Sequence, residues 1–200
     1  RDNHDREPLL LEMRDLLAHR GPDDSGAYVK GHVGMGHRRL SIIDLASGHQ
    51  PIANEDCTVW IVYNGEIYNY LELRQYLIAR GHGFKTNSDT EVILHLYEEK
   101  GDKCASYLNG IFAFSIWDEN DSSLFLARDH LGIKPLYYSF TGKALLFSSE
   151  IKAILKTGYV GPECRSECIP EYFTFRHISG ENTLFRAVKS LPPASTLLFK

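Results

Sequence analysis

The run Val59-Trp60-Ile61-Val62-Tyr63, followed at once by Asn64-Gly65-Glu66 and then by Ile67-Tyr68-Asn69, constrains this chain more than any other stretch. Consecutive β-branched and aromatic residues suit a buried strand, so the fold must supply a sheet interior for them. The polar break that follows carries the strongest short-range turn signal, Asn-Gly. It predicts a tight turn in which Gly65 takes backbone angles closed to other residues and Glu66 sits at a strand end. Two readings stand. One is an ordinary hairpin turn. The other is a small polar pocket, because a rigid strand would deliver a side-chain amide, an approachable backbone N–H and a carboxylate together.

Around that stretch, 200 residues with 43% hydrophobic and 24% charged side chains suit one domain with a substantial core. The net charge of −4 and the lack of a Lys/Arg stripe argue against a nucleic-acid surface. The most apolar windows, 111–117 and 144–147, fall far short of the ~20 residues of a membrane-spanning helix, and Arg1-Asp2-Asn3-His4 opens no signal peptide. Cys57, Cys104, Cys164 and Cys168 show no paired C-x-x-C spacing, which points away from a disulfide framework or zinc ribbon and toward a reducing, cytoplasmic setting. The nine histidines form no H-x-x-x-H or H-E-x-x-H arrangement, so no metal site is expected.

Taken in order, Leu9, Leu10, Met13, Leu16 and Leu17 share a helical face, with His19 and Arg20 before Gly21 suiting the C-terminal end. A loop at 21–26 and strand pieces at 27–30 and 32–38 come next. Then Arg39-Leu40-Ser41-Ile42-Ile43-Asp44 reads as a strand with an Arg at its start. Tyr70, Leu73, Leu77 and Ile78 mark a second helix, and Phe84-Lys85-Thr86 a short strand. Ser88 with Glu91 forms a capping-box signature for a third helix, placing Asp89 in its first turn, where a carboxylate is favourable with or without a function. Segments 111–117 and 124–127 read as a hairpin, with further strands at 136–139 and 144–148 and a short helix at 150–155. The remainder reads as irregular, with strand pieces near 183–185 and 196–199. Strand–helix alternation is lacking and no G-x-G-x-x-G opens a helix, so the pattern is α+β and offers no dinucleotide site.

Six polar landmarks follow in order: Arg20-Gly21-Pro22-Asp23, Arg39 to Asp44, Tyr63 to Asn69, Ser88-Asp89-Thr90-Glu91, Arg128 to Tyr138, and Ser149-Glu150-Ile151-Lys152. Together they closely resemble the glutaminase (class II glutamine amidotransferase) domain of glutamine-hydrolysing asparagine synthetases, over nearly the whole chain. The resemblance implies a four-layer αββα sandwich of two antiparallel sheets, of the N-terminal-nucleophile hydrolase type. It implies glutamine as substrate, with ammonia passed to a C-terminal synthetase domain that uses ATP and Mg²⁺ to amidate aspartate. The glutaminase domain itself needs no cofactor. Neither nucleic acid nor membrane is a partner, and a homodimer is compatible with it.

Position by position, the resemblance assigns Arg39 to the substrate α-carboxylate, with Ile42 beside it in the substrate-binding set. Glu66 and Asp89 go to the α-ammonium and neighbouring polar atoms, and Asn64 with the Gly65 N–H to the oxyanion. The chemistry agrees. A free amino acid carries one anion and one cation on the same carbon, which calls for a guanidinium fork beside a carboxylate. An attacked amide gathers negative charge on oxygen, which a side-chain amide and a backbone N–H can meet. Arg20 and Asp23 read as loop-fixing or supporting residues. Arg128 to Tyr138 and Ser149 to Lys152 resemble the part facing the synthetase domain, although Arg128-Asp129 also reads as a local ion pair.

The sequence departs from the family at both ends. The family nucleophile is a cysteine at the mature N-terminus that uses its own α-amino group as base, whereas Arg1-Asp2-Asn3-His4 stands here and no pyrophosphate loop follows. Residues 1–200 are therefore expected to be an amidotransferase domain truncated before its first strand, inactive as it stands and lacking the synthetase domain. The alternative is a glutamine-binding or scaffolding module that has lost the chemistry.

Overall fold

The structure, a computed structural model, describes residues 6–40 and 48–200. In chain order these form α1 (Arg6–Asp15), β1 (Asp24–Lys30), β2 (Val33–Arg39), β3 (Ile52–Ala53), β4 (Val59–Ile67), α2 (Tyr70–Ala79), α3 (Asp89–Lys100), β5 (Gly110–Asp118) and β6 (Ser123–Arg128). They continue with β7 (Tyr137–Phe140), β8 (Leu145–Ser148), α4 (Ile151–Lys156), α5 (Ile169–Phe175), β9 (Lys189–Ser190) and β10 (Thr196–Phe199).

The apolar run of β4 lies inside a five-stranded sheet of order β10-β6-β5-β4-β3, antiparallel throughout. Alternation along β4 divides the interior. Val59, Ile61, Tyr63 and Ile67 turn to one face, where Leu77 of α2, Val92, Ile93 and Leu96 of α3, and Phe112 and Phe114 of β5 complete one buried cluster. Val62, with Trp60 packed alongside, turns to the other face and meets Tyr28, Met35, Ala113, Trp117 and Leu136 in a second cluster. By the same period, Asn64 and Glu66 belong to this second face.

The second face is covered by two smaller antiparallel sheets, the β1–β2 hairpin and the three-stranded β8-β7-β9. Over them lie α1 and α4, which touch each other, α1 on β2 and α4 on β8. The glycines of β2 admit α1: a Cβ at Gly34 would stand 3.2 Å from Leu10 Cδ2, and one at Gly36 3.3 Å from Arg14 Cβ. The layers run helix, sheet, sheet, helix, as the resemblance implies.

Several local expectations are corrected. Asn64-Gly65 makes no turn: β4 runs straight through it, with Asn64 opposite Ala113, Gly65 opposite Phe112 and Glu66 opposite Ile111. Pairing along the whole of β5 overrides the local turn preference. Gly65 is required for close approach instead, because a Cβ there would collide with the Ile111 carbonyl oxygen and sit 2.7 Å from Phe112 Cα. Arg39 ends β2 and does not begin a strand, and Ile42 lies outside the described residues. Helix α1 stops at Asp15, after which Leu16 to Gly21 continue as turns.

No strand forms at Phe84-Lys85-Thr86, because the Lys85 and Thr86 N–H groups donate to the Glu91 carboxylate at 2.8 and 2.7 Å. That also alters the capping box. Ser88 Oγ accepts from the Thr90 N–H at 3.1 Å, but Glu91 is engaged by the preceding loop, and Thr86 Oγ1 takes the Ser88 N–H. The stretch read as irregular contains α5, and the piece at 183–185 makes only a bridge from Phe185 to Cys164. No described helix is long and apolar enough to cross a membrane.

Candidate active site

A cleft of about 550 Å³ opens between the two β layers and gathers Arg39, Asn64, Gly65, Glu66 and Asp89 on one lining. Its floor comes from the second face of β4 and β5, with Val62, Asn64, Ala113 and Ser115. Met13 of α1 closes over it, and β2 and β8 border it. Both bordering strands are end strands of their sheets, β2 pairing with β1 and β8 with β7.

Each polar residue arrives by a different route. Arg39 is buried at the end of β2, and the loop before β1 holds it there. Arg38 Nε donates to the Gly21 carbonyl at 3.0 Å, the Asp23 N–H donates to the Arg39 carbonyl at 3.0 Å, and a Cβ at Gly21 would strike the Arg38–Arg39 backbone. The Arg20-Gly21-Pro22-Asp23 motif thus works through backbone contacts, while Arg20 and His19 reach Glu150 at 3.4 and 2.8 Å. Burial opposes ionisation of Glu150, but Lys152 and His19 hold its carboxyl below the usual range.

Asp89 is buried at the start of α3 and spans the end of β4. Its Oδ2 accepts from the Tyr63 hydroxyl at 2.6 Å and the Ile67 N–H at 3.1 Å. Burial, reinforced by this carboxylate, raises the Tyr63 hydroxyl pKa, so it stays a donor. Four residues back from Ile67 along the same edge, the Tyr63 N–H donates to Gln50 Oε1 at 2.7 Å. The Gly65 N–H points the same way by strand parity. Across the ladder, Phe112 opposite Gly65 donates its N–H to the Asp129 carboxylate and accepts the Asp129 N–H at its carbonyl, so the Gly65 N–H stays outside the β4–β5 ladder. It therefore stands between a donor capped by Gln50 and one capped by Asp89. His37 on the cleft wall is pushed down to about 4 by enclosure and then by the neighbouring Arg39 charge, and is neutral near pH 7.

The Arg128-Asp129 motif forms no ion pair of its own. Asp129 is buried and accepts four N–H groups, from Leu131 and Ile133 on Oδ1 and from Phe112 and Lys134 on Oδ2. Arg128 donates to the carbonyls of Gly132, Lys134 and Leu191. Gln50 and Tyr63 are site residues that sequence reasoning missed. Tyr63 stood within the organising run but read as core, and Gln50 carried no motif signal.

These layers and this cleft define an α+β sandwich of the N-terminal-nucleophile hydrolase type. The family model described as Glutamine amidotransferase domain matches residues 1–200, and the chain belongs to that family. Among curated relatives it is similar to asparagine synthetase [glutamine-hydrolyzing] 1 of Bacillus subtilis, 46% identical over 191 residues, which are 96% of this chain and 30% of that protein. A putative asparagine synthetase [glutamine-hydrolyzing] 2 of Methanocaldococcus jannaschii is 36% identical over 95% of this chain and 40% of its own length. The chain thus spans about a third of such relatives. Among solved structures, the glutamine phosphoribosylpyrophosphate amidotransferase of B. subtilis superposes with a TM-score of 0.54 at 31% identity, covering 65% of this chain and 30% of that one. An allosteric regulatory enzyme of purine biosynthesis gives 0.61 at 25% identity over 85% of this chain and 33% of its own.

Proposed function

We propose that the cleft binds glutamine and that the chain is the glutaminase portion of a glutamine-hydrolysing asparagine synthetase, with ammonia delivered to an ATP- and Mg²⁺-using synthetase portion that amidates aspartate. The observation that carries this reading is the convergence of Arg39, Asn64, Gly65, Glu66 and Asp89, remote in sequence, on one cleft. In this reading Arg39 pairs with the α-carboxylate, and Glu66 with the free side of Asp89 receives the α-ammonium. Asn64 Nδ2 and the Gly65 N–H meet the oxygen that becomes anionic when the amide is attacked. The four free cysteines fit a reducing, cytoplasmic setting.

The attacking thiol belongs, in this proposal, to a cysteine heading an extended strand between the end strands β2 and β8. The thiol bonds to the amide carbon while its proton passes to the α-amine and on to the departing ammonia. Water then cleaves the thioester to release glutamate and regenerate the thiol. No cofactor enters these steps. The test is ammonia release from glutamine by residues 1–200 alone and by the same residues preceded by a Cys-Gly-Ile-type strand. Turnover is expected only in the second. Turnover by the first, or none by a folded second form, overturns the proposal.

A further inference from the structure

Outside the cleft, Glu55 from the β3–β4 connection, His82 from the α2–α3 connection and His95 of α3 each bring a ligand atom within 4.8 Å of the others. We propose that these three, with Glu98, form a binding site for a divalent transition-metal ion of the zinc kind. His95 Nδ1 stands 2.7 Å from Glu98 Oε2 and 4.0 Å from Glu55 Oε2, and His82 Nδ1 stands 3.6 Å from the same Glu98 oxygen. Both Nδ1 atoms thus face a shared carboxylate. Both Nε2 atoms face a different one: His82 Nε2 is 3.2 Å from Glu99 Oε1, and His95 Nε2 is 3.7 Å from Glu91 Oε1. An imidazole that ligates a metal has this polarity, one nitrogen on the ion and the other N–H directed to a carboxylate.

A structural ion-pair network is the competing reading, since Glu91 and Glu98 face the two nitrogens of His95, and the geometry at Nε2 favours a metal ligand over it. His95 is 1% exposed, yet its Nε2 has no hydrogen-bond partner among the described residues, Glu91 Oε1 standing off at 3.7 Å. A network built only to hold an imidazolium would bond both N–H groups, whereas a ring drawn toward an ion at Nδ1 can tilt to close the Nε2–Glu91 gap. The surrounding groups are already fixed. Glu98 Oε1 accepts from Asn54 Nδ2 at 2.8 Å, and Asn54 Oδ1 in turn accepts the Thr58 and Val59 N–H groups at 2.9 and 3.0 Å. Glu91 is held by the Lys85 and Thr86 N–H groups. Glu55, half-exposed, has slack to move inward, and the 2.7 Å His95 Nδ1–Glu98 Oε2 hydrogen bond must open as the ion displaces its proton, which together bring the ligand atoms to the ~3.4 Å spacing of a tetrahedral site with bonds of ~2.0–2.1 Å. Two imidazoles with two carboxylates suit zinc, nickel or iron, whereas magnesium and calcium prefer oxygen alone. A bound ion would tie three segments of the helical layer together and pin α3, whose first residue is Asp89.

The experiment uses residues 1–200 freed of metal with a chelator and titrated with Zn²⁺ by calorimetry. Co²⁺ serves as the spectroscopic probe, Mg²⁺ as comparator, and the thermal midpoint is followed throughout. One Zn²⁺ per chain, visible tetrahedral Co²⁺ bands, a raised midpoint and no Mg²⁺ response are expected. His82→Ala should weaken Zn²⁺ binding by about 100-fold and Glu55→Gln by about tenfold, while Glu12→Gln on the exposed helix α1 should leave it unchanged. Circular dichroism shows that each variant is folded. No uptake with Zn²⁺ in large excess, or the same affinity in folded His82→Ala and Glu55→Gln, overturns the proposal. The readout is independent of glutamine turnover.

Discussion

The Arg128-Asp129 turn and the Arg39-to-Asp89 cleft both begin as charged motifs in the sequence, and the fold uses them in opposite ways. In the turn the Arg128 and Asp129 side chains are both spent inward. Asp129 takes four backbone N–H groups and Arg128 takes three carbonyls, so the pair builds a rigid corner beside β5 with nothing left for a ligand. In the cleft, Glu66 is exposed, and Asp89 commits Oδ2 to Tyr63 and Ile67 while Oδ1, among the described residues, meets only the Ser88 hydroxyl, at 3.5 Å. A charged pair whose hydrogen bonds are all satisfied locally is scaffold. One with donors or acceptors left facing a cavity is equipped to bind.

If that contrast holds, Asp129→Ala should produce the largest change in stability. It strands the buried Phe112 N–H and three part-buried ones, from Leu131, Ile133 and Lys134, at once; with ~1–3 kcal/mol for a fully buried group and less for the others, a total of about 4 kcal/mol is expected. For a domain of this size that lowers the thermal midpoint by roughly 8–16 °C. A shift of only a degree or two would show that the corner is not scaffold. Asn64→Ala should do the reverse in the Cys-extended chain. Turnover should fall by about 10²–10³-fold with the melting curve nearly unchanged, because its donor acts as the oxyanion forms. Full turnover in that variant would remove Asn64 from the oxyanion role.

Glu91 belongs with the scaffold and gives the contrast a pH axis. Burial opposes its ionisation, but the His95 ring, the Lys85 and Thr86 N–H groups and the Thr86 hydroxyl hold its carboxyl down to about 2. A depressed carboxylate pKa contributes stability that is fully present above the unfolded value of 4.5 and is lost as pH falls toward 2. Thermal melts should therefore lose about 3 kcal/mol at most across that window. Glu91→Gln should flatten the loss without changing glutamine affinity at pH 7. An equally steep acid slope in the variant would assign the effect elsewhere.

The smallest expected effect lies in the cleft. Arg39→Lys keeps the charge but gives up the planar fork, so the KM for glutamine should rise about tenfold with kcat little changed, the α-carboxylate being present in ground and transition states alike. A fall in kcat at constant KM would move Arg39 from substrate clamp to the chemical step.

Much of this was legible in the chain itself. The Val59–Tyr63 run is a sheet strand between β5 and β3, Val59, Ile61, Phe112 and Phe114 are buried, and the helices from Tyr70 and Asp89 start where their residues indicate. Those features follow from side-chain type and period, which are local properties. The six landmarks likewise carried the family, and five of the proposed site residues, Arg39, Asn64, Gly65, Glu66 and Asp89, lie on one cleft lining.

What the sequence could not decide was the outcome of competition between local and distant partners. Asn64-Gly65 has the chemistry of a turn, yet it stays in the strand because nine residues of β5 pair across it and only a residue without a Cβ fits opposite Phe112. Glu91 had the spacing to cap its own helix, but the Lys85 and Thr86 N–H groups took its carboxylate first. Gln50 and Tyr63 enter the site, and Glu55, His82 and His95 meet, only because separate segments pack against α3 and the edge of β4. Sequence determined which groups were available and which segments had to be buried. Tertiary structure determined which hydrogen bonds were satisfied inside the fold and which stayed open to the cleft, because that depends on which backbone and side-chain groups packing brings to each donor and acceptor.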